Sequence, residues 1–151
     1  MQNENQIETL NDLVLINNDR VEGYRKALEN LKEAKPELTT LFNALKEESF
    51  KNNQELKTEI FNLRGTPETG TTVSGKIYRA WMDVKATFGG DDALSVLNSC
   101  EGGEDAAKVA YKSAIESGDL SADTAALVAK QQSAQLQGHN QIKALRDQYK
   151  S

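Results

Sequence analysis

The chain has 151 residues, 38% of them hydrophobic, only 2 prolines and a formal net charge of −5; that length suffices for one domain with a buried core. Lys and Arg are interleaved with acids along the chain, which excludes the clustered basic surface that a nucleic-acid partner requires. No apolar run approaches the roughly 18 residues of a membrane span, "MQNENQIETL" is too polar for a signal or transit peptide, and the one cysteine, Cys100, cannot pair internally, so a cytoplasmic location is expected.

Residues 1–6 read as a flexible N-terminus ahead of a single domain over 7–149. The first helix is predicted over 7–34, where Ile7, Leu10, Val14, Val21, Tyr24, Leu28 and Leu31 form a stripe at three-four spacing. Asn17 joins its inner face. Pro36 punctuates a short turn and opens the second helix, over 36–64. Its stripe is Leu38, Leu41, Leu45, Leu56, Ile60 and Leu63, interrupted by Ser49 and Asn52, with Glu48 beside it. Gly65 is expected to cap it. After the loop "GTPETGTT", residues 73–88 place Val73, Ile77, Trp81, Val84 and Phe88 on one face of a short amphipathic helix, and "GGDD" ends it.

The third long helix is predicted over 92–117, with Leu97, Cys100, Ala107, Tyr111 and Ile115 on its buried face. Gly118 stops it and "SAD" starts the last helix, which runs to 149. That helix carries Val128, Gln131, Gln135, Gly138, Ile142, Leu145 and Tyr149 inward, with His139 at the margin. The charged residues read as solvated helical faces. Short connections make the first and last pairs antiparallel hairpins. The link between the pairs is long enough to cross the bundle lengthwise. The expected fold is therefore all-α, a four-helix bundle with one long crossover carrying a short helix, the ferritin-like connectivity.

Four stretches together carry a family resemblance: "VEGYRKA", "ELKTEI", "GTTVSGKIYRAWMDVK" and "CEGGEDAAKVAY". The chain resembles a bacterial family of unknown function within the ferritin-like superfamily, over about residues 10–145. It departs from that family's pattern at Tyr78, where His is frequent, and at Gly102–Gly103, where one glycine beside an Arg is frequent. The resemblance implies a fold, no assigned reaction and a stress-related role. Relatives in the wider superfamily bind two metal ions between four helices, so iron or manganese is the cofactor to test.

A di-metal bundle draws a Glu from each of two helices and a Glu-x-x-His from each of the others. The only histidine here is His139, and Leu136 stands three residues before it, so the ordinary pattern is absent. An irregular metal set would be Glu48, Glu101, Glu104 and His139. The helical period puts Glu104 near the centre of its buried face and Glu101 on the edge. Counting back from the hairpins sets Glu104 opposite Gln135 and Asn17 opposite Asn52; a crossover that returns the chain to the end where the first hairpin turns also brings Glu104 level with Tyr24 and with Glu48 or Ser49. The expected core polar layer is Tyr24, Ser49, Glu104 and Gln135, a neutral network in which Gln and Tyr donate to the acid.

No nucleophile constellation supports catalysis, and Cys100 reads as packing. Gly102 and Gly103 each cost roughly 1 kcal/mol in a helix, and Gly23 and Gly138 fall near their level. A tight crossing, or an aromatic such as Trp81 pressed onto the waist, would explain them; local unwinding is the alternative. Phe50 and Phe61 lie on the back of the second helix, under the crossover or against another subunit. The leading reading is a non-enzymatic structural or interaction module, a homo-oligomer without cofactor. The alternative is a divergent iron or manganese carboxylate protein.

Overall fold

Helix α1 spans Gln2–Asn30, α2 Pro36–Asn62, α3 Ala93–Glu116 and α4 Ala122–Lys150. The computed structural model describes residues 2–31, 35–70 and 93–150; the short helix expected over 73–88, Trp81 included, lies outside them. Among the described residues the chain is all-α, a helical bundle without strands. No helix among them is long and apolar enough to cross a membrane.

Local chemistry sets the ends. α1 starts at Gln2, ahead of its apolar stripe. Its first turns are held from outside the helix: the Ser121 N–H donates to Gln6 Oε1 at 2.7 Å, and Thr9 Oγ1 donates to Asp119 Oδ2 at 3.1 Å. It ends at Asn30, short of residue 34, where Asn30 Nδ2 turns back onto Lys26 O at 2.7 Å. Pro36 opens α2 with its fixed φ, and Lys35 O accepts from the Leu38 and Thr39 N–H groups, both at 2.9 Å.

The end of α2 differs from the expected glycine cap. Arg64 takes the left-handed conformation, with φ 65. The Gly65 N–H reaches Ile60 O at 2.8 Å and the Arg64 N–H reaches Phe61 O at 2.9 Å, the two bonds of a Schellman turn. Gly65 is needed for space, since a Cβ there would stand 2.8 Å from Ile7 Cγ2. Gly118, with φ 75, makes the left-handed turn after α3. Ser121 then caps α4, its Oγ accepting from the Thr124 N–H at 3.4 Å.

α1 packs on α2 and α3, and α4 packs on α3 and at fewer points on α2. Contacts from α1 run in a fixed order. Towards α2, Asn17 meets Asn52 and Arg20 meets Glu48. Towards α3, Thr9 meets Asp119 beyond the helix end, Asn17 meets Tyr111 and Tyr24 meets Glu104. On α4, Gln131 meets Asn52 and Tyr149 meets Glu37. Residues 66–70 lie along α1, held by Asn11 on Thr66 O and on the Glu68 N–H, and by Asn18 Nδ2 on Gly70 O at 2.6 Å.

The apolar core is split in two. One cluster gathers Tyr24, Leu38, Phe42, Leu45, Leu97, Cys100 and Ile142; the other gathers Leu10, Leu13, Val14, Leu56, Ile60, Tyr111 and Val128. Each fully buried Leu or Ile contributes roughly 1.5–3 kcal/mol. Between the clusters, at the waist, the inward residues are polar. α3 runs unbroken through Gly102 and Gly103, so the helix does not unwind there. At Gly138 on α4 a Cβ would stand 2.7 Å from Leu45 Cδ2, so the missing side chain makes room for α2.

Candidate functional site

The waist is organised by a residue whose charge argues for the surface. Arg20 on α1 is 0% exposed. Its Nε donates to Glu104 Oε1 at 2.9 Å and its Nη2 to Glu104 Oε2 at 3.0 Å. The same Nη2 reaches Glu48 Oε2 at 3.0 Å. One guanidinium thus joins α1 to carboxylates on α2 and α3. The expectation that the charges are solvated fails here, and the network is ionic rather than neutral. Asp19 is buried beside Arg20.

Glu104 collects further donors. Tyr24 Oη donates to Oε2 at 2.6 Å, and Gln135 Nε2 to Oε1 at 3.3 Å and to the Glu104 backbone carbonyl at 2.9 Å. Gln135 Oε1 is buried without a hydrogen-bond partner among the described residues. A second ring follows towards α4. Asn17 Nδ2 donates to Tyr111 Oη at 2.8 Å, Tyr111 Oη donates to Gln131 Oε1 at 2.9 Å, and Gln131 Nε2 donates to Asn52 O at 3.2 Å. Asn52 Nδ2 returns to Asn17 Oδ1 at 3.2 Å, which closes a ring drawn from all four helices.

Burial opposes the charge on Arg20, but the carboxylates of Glu104 and Glu48 outweigh it and hold its pKa above the ordinary value. Burial, then the Glu104 charge, pushes Tyr24 well up, so it stays a donor. Burial pushes Tyr111 up to about 12. The Cys100 thiol is pushed well above its usual range by burial and then by Glu104, the opposite of what a nucleophile needs.

The nominated residues divide into two places. Tyr24, Glu104 and Gln135 meet at the waist with Glu48, through Arg20. Ser49 is buried, but its Oγ donates to Leu45 O at 3.1 Å within its own helix. Glu101 and His139 lie instead at the rim between α3 and α4. His139 Nε2 stands 2.6 Å from Asp105 Oδ1, and Arg146 Nη1 contacts Glu101 Oε2. Ligand atoms of Glu101, Asp105 and His139 all lie within 4.8 Å of one another. Glu48 and Glu104 are therefore not joined to Glu101 and His139 in one ligand set.

Asp105 and Arg20 escaped the sequence reading. Asp105 carried a weak signal, since it stands four residues after Glu101 and on the same face. Arg20 carried one too. It falls one turn before Tyr24 and three residues after Asn17, both inward, and only its charge argued for the surface.

The sequence matches the model of a domain of unknown function, DUF2383, over residues 5–117. No curated protein matches it.

Proposed function

The chain belongs to the DUF2383 family, a domain family of unknown function, and we propose that it is a non-enzymatic structural module, a ferritin-like bundle whose waist is closed by a guanidinium. The observation that carries this reading is Arg20, unexposed and bonded to Glu104 and Glu48. In a metal-binding bundle, cations between the helices neutralise inward carboxylates. Here Arg20 supplies the positive charge at that level, and an ion would have to displace it. The residues of the waist do not fit a di-metal centre. Arg20, Tyr24, Glu104 and Gln135 are all unexposed, so no substrate reaches them.

The order of cross-helix contacts supports the ferritin-like connectivity. Residue numbers rise along α1 as they fall along α2 and α3, and rise along α4 as they fall along α2 and α3. Neighbouring helices are then antiparallel. The end of α2 and the start of α3 then stand at opposite ends of the bundle. Residues 7–149 act as one domain.

Self-association through the back of α2 completes the reading. Phe50 is 47% exposed and Phe61 is 65% exposed, about three turns apart on one helix. A second copy is the partner that would cover them.

The deciding experiment is a melting curve with and without iron or manganese, on the parent and on Glu104→Ala. No Glu104-dependent rise is expected. A large metal-dependent rise in the parent that Glu104→Ala removes would install the divergent metal carboxylate protein instead. Sedimentation of the parent against Phe50→Ser/Phe61→Ser tests the partner. The parent should exceed a monomer and the variant should not; a parent that stays monomeric at high concentration refutes self-association.

A further inference from the structure

The rim between α3 and α4 carries a second, separate arrangement of ligand groups. Glu101 and Asp105 project one helical turn apart from α3, and His139 faces them from α4. The three offer one imidazole nitrogen and two carboxylate oxygens, with all three ligand atoms within 4.8 Å of one another. We propose that Glu101, Asp105 and His139 form a mononuclear site for a zinc-class divalent cation that ties α3 to α4.

The ligand chemistry is mixed. Imidazole suits zinc and its neighbours in the first transition row, and carboxylates are compatible with it. In a tetrahedral zinc site with bonds of about 2.0–2.2 Å, the ligand atoms stand about 3.3 Å apart. Asp105 Oδ1 and His139 Nε2, now 2.6 Å apart, open slightly, and Glu101 closes inwards. The cost is small because Asp105 is free to move, its side chain being 60% exposed. His139 is held: its side chain is 9% exposed, and Nδ1 lies 3.3 Å from Asn140 Oδ1. Nε2 donates to Asp105 Oδ1 in this structure; a divalent ion displaces that proton, and a proton on Nδ1 facing Asn140 Oδ1 then orients the ring, the outer-shell arrangement of a metal-bound histidine. Solvent on the Asp105 side supplies the fourth position.

A cation already serves Glu101. Arg146 Nη1 contacts Glu101 Oε2, while its Nη2 bonds Asp147 Oδ1 at 2.7 Å and its Nε the same oxygen at 3.2 Å. When a divalent ion takes Glu101, Arg146 keeps Asp147. Helix α4 thus exchanges a part-buried ion pair for a coordinate bond, and the α3–α4 pair becomes firmer as zinc rises. This site owes nothing to the waist. It stands or falls whether or not Arg20 closes the core.

The test is calorimetric titration of zinc chloride into the untagged full chain, stripped with chelator and dialysed, for the parent, His139→Gln and Asp105→Asn. One zinc per chain is expected. Both variants should weaken it by more than the roughly 100-fold that loss of an outer-shell partner alone can cost at most. Asp105 is exposed, so its variant tests the site without threatening the fold. Absence of saturable binding in the parent, or parent-like affinity in either variant, overturns the proposal.

Discussion

The Arg20 guanidinium and the Glu104 carboxylate meet edge to edge across α1 and α3, at 2.9 and 3.0 Å, with neither side chain exposed. Two parallel bonds fix direction as well as distance. They set the register between two helices whose apolar stripes alone would tolerate sliding. Such a pair adds little net stability over an apolar replacement, because both charges lose their water, but losing one partner is costly.

Three variants separate those effects. Glu104→Gln leaves the buried Arg20 charge with Glu48 as its carboxylate hydrogen-bond partner, and should cost about 3 kcal/mol. Arg20→Met leaves Glu104 with the neutral donors Tyr24 and Gln135, and should cost about as much. Arg20→Met/Glu104→Leu should be less destabilised than the two single changes added together, because the one charge left without its partner, Glu48, is 24% exposed and reaches water. Urea unfolding measures all three. A Glu104→Gln protein as stable as the parent would mean that the ion pair does not hold the waist.

The helical stripes were legible because burial follows the period. Glu104 and Gln135, placed inward by counting, are both unexposed. Arg20 was not legible, because single-sequence reading assigns charge to the surface and only a partner reverses that choice. Glu104 on α3 is that partner, 84 residues away in sequence. Leu15 and Ile16 sit off the stripe of α1 and are buried all the same, so one apolar face does not describe that helix. The cap of α2 was misread for a different reason. Glycine is the usual left-handed residue, but here Gly65 is fixed by the space beside Ile7, and the turn falls to Arg64.

Gly138 should resist substitution although alanine favours helices. Gly138→Ala gains roughly 1 kcal/mol of helix propensity. Its Cβ would meet Leu45 Cδ2 at 2.7 Å, and overpacking of that kind costs about 1–3 kcal/mol. A net loss near 1 kcal/mol is expected. In a Leu45→Val background the contact disappears, so the same change should turn neutral or favourable. Thermal melts of the four proteins read the sign; a loss of equal size in both backgrounds would place the strain elsewhere.

Arg64 holds a conformation that costs a residue with a Cβ roughly 1–2 kcal/mol. It is exposed and its backbone N–H is already bonded to Phe61 O. Arg64→Gly removes the strain but gives the unfolded chain more freedom, worth about 0.5–1 kcal/mol. The balance is a gain of about 0.5–1 kcal/mol. Arg64→Ala keeps the strain and should bring no gain. Denaturation midpoints decide between backbone and side chain, since an equal gain from alanine would assign the effect to the lost guanidinium.

Alkaline stability should be governed by the buried tyrosines. Tyr111 has an ordinary pKa of 10.0, pushed up to about 12 in the folded chain chiefly by burial. Below pH 10 both states hold the proton and the difference contributes nothing adverse. Above it the unfolded chain releases the proton while the folded chain retains it, so stability falls with rising pH until the folded pKa is passed. Over that window Tyr111 alone should remove about 2–3 kcal/mol. Tyr24, raised by burial and then by Glu104, acts in the same direction. Arg20 keeps its charge throughout, because its pKa is raised too. Tyrosinate absorbance from these two residues should therefore appear together with the loss of helical circular dichroism. Tyr111→Phe should shallow the decline while lowering stability at neutral pH by about 1–3 kcal/mol, since Gln131 Oε1 loses its donor. Ionisation of both buried tyrosines in a chain that keeps its full helicity would show that the waist is open to solvent.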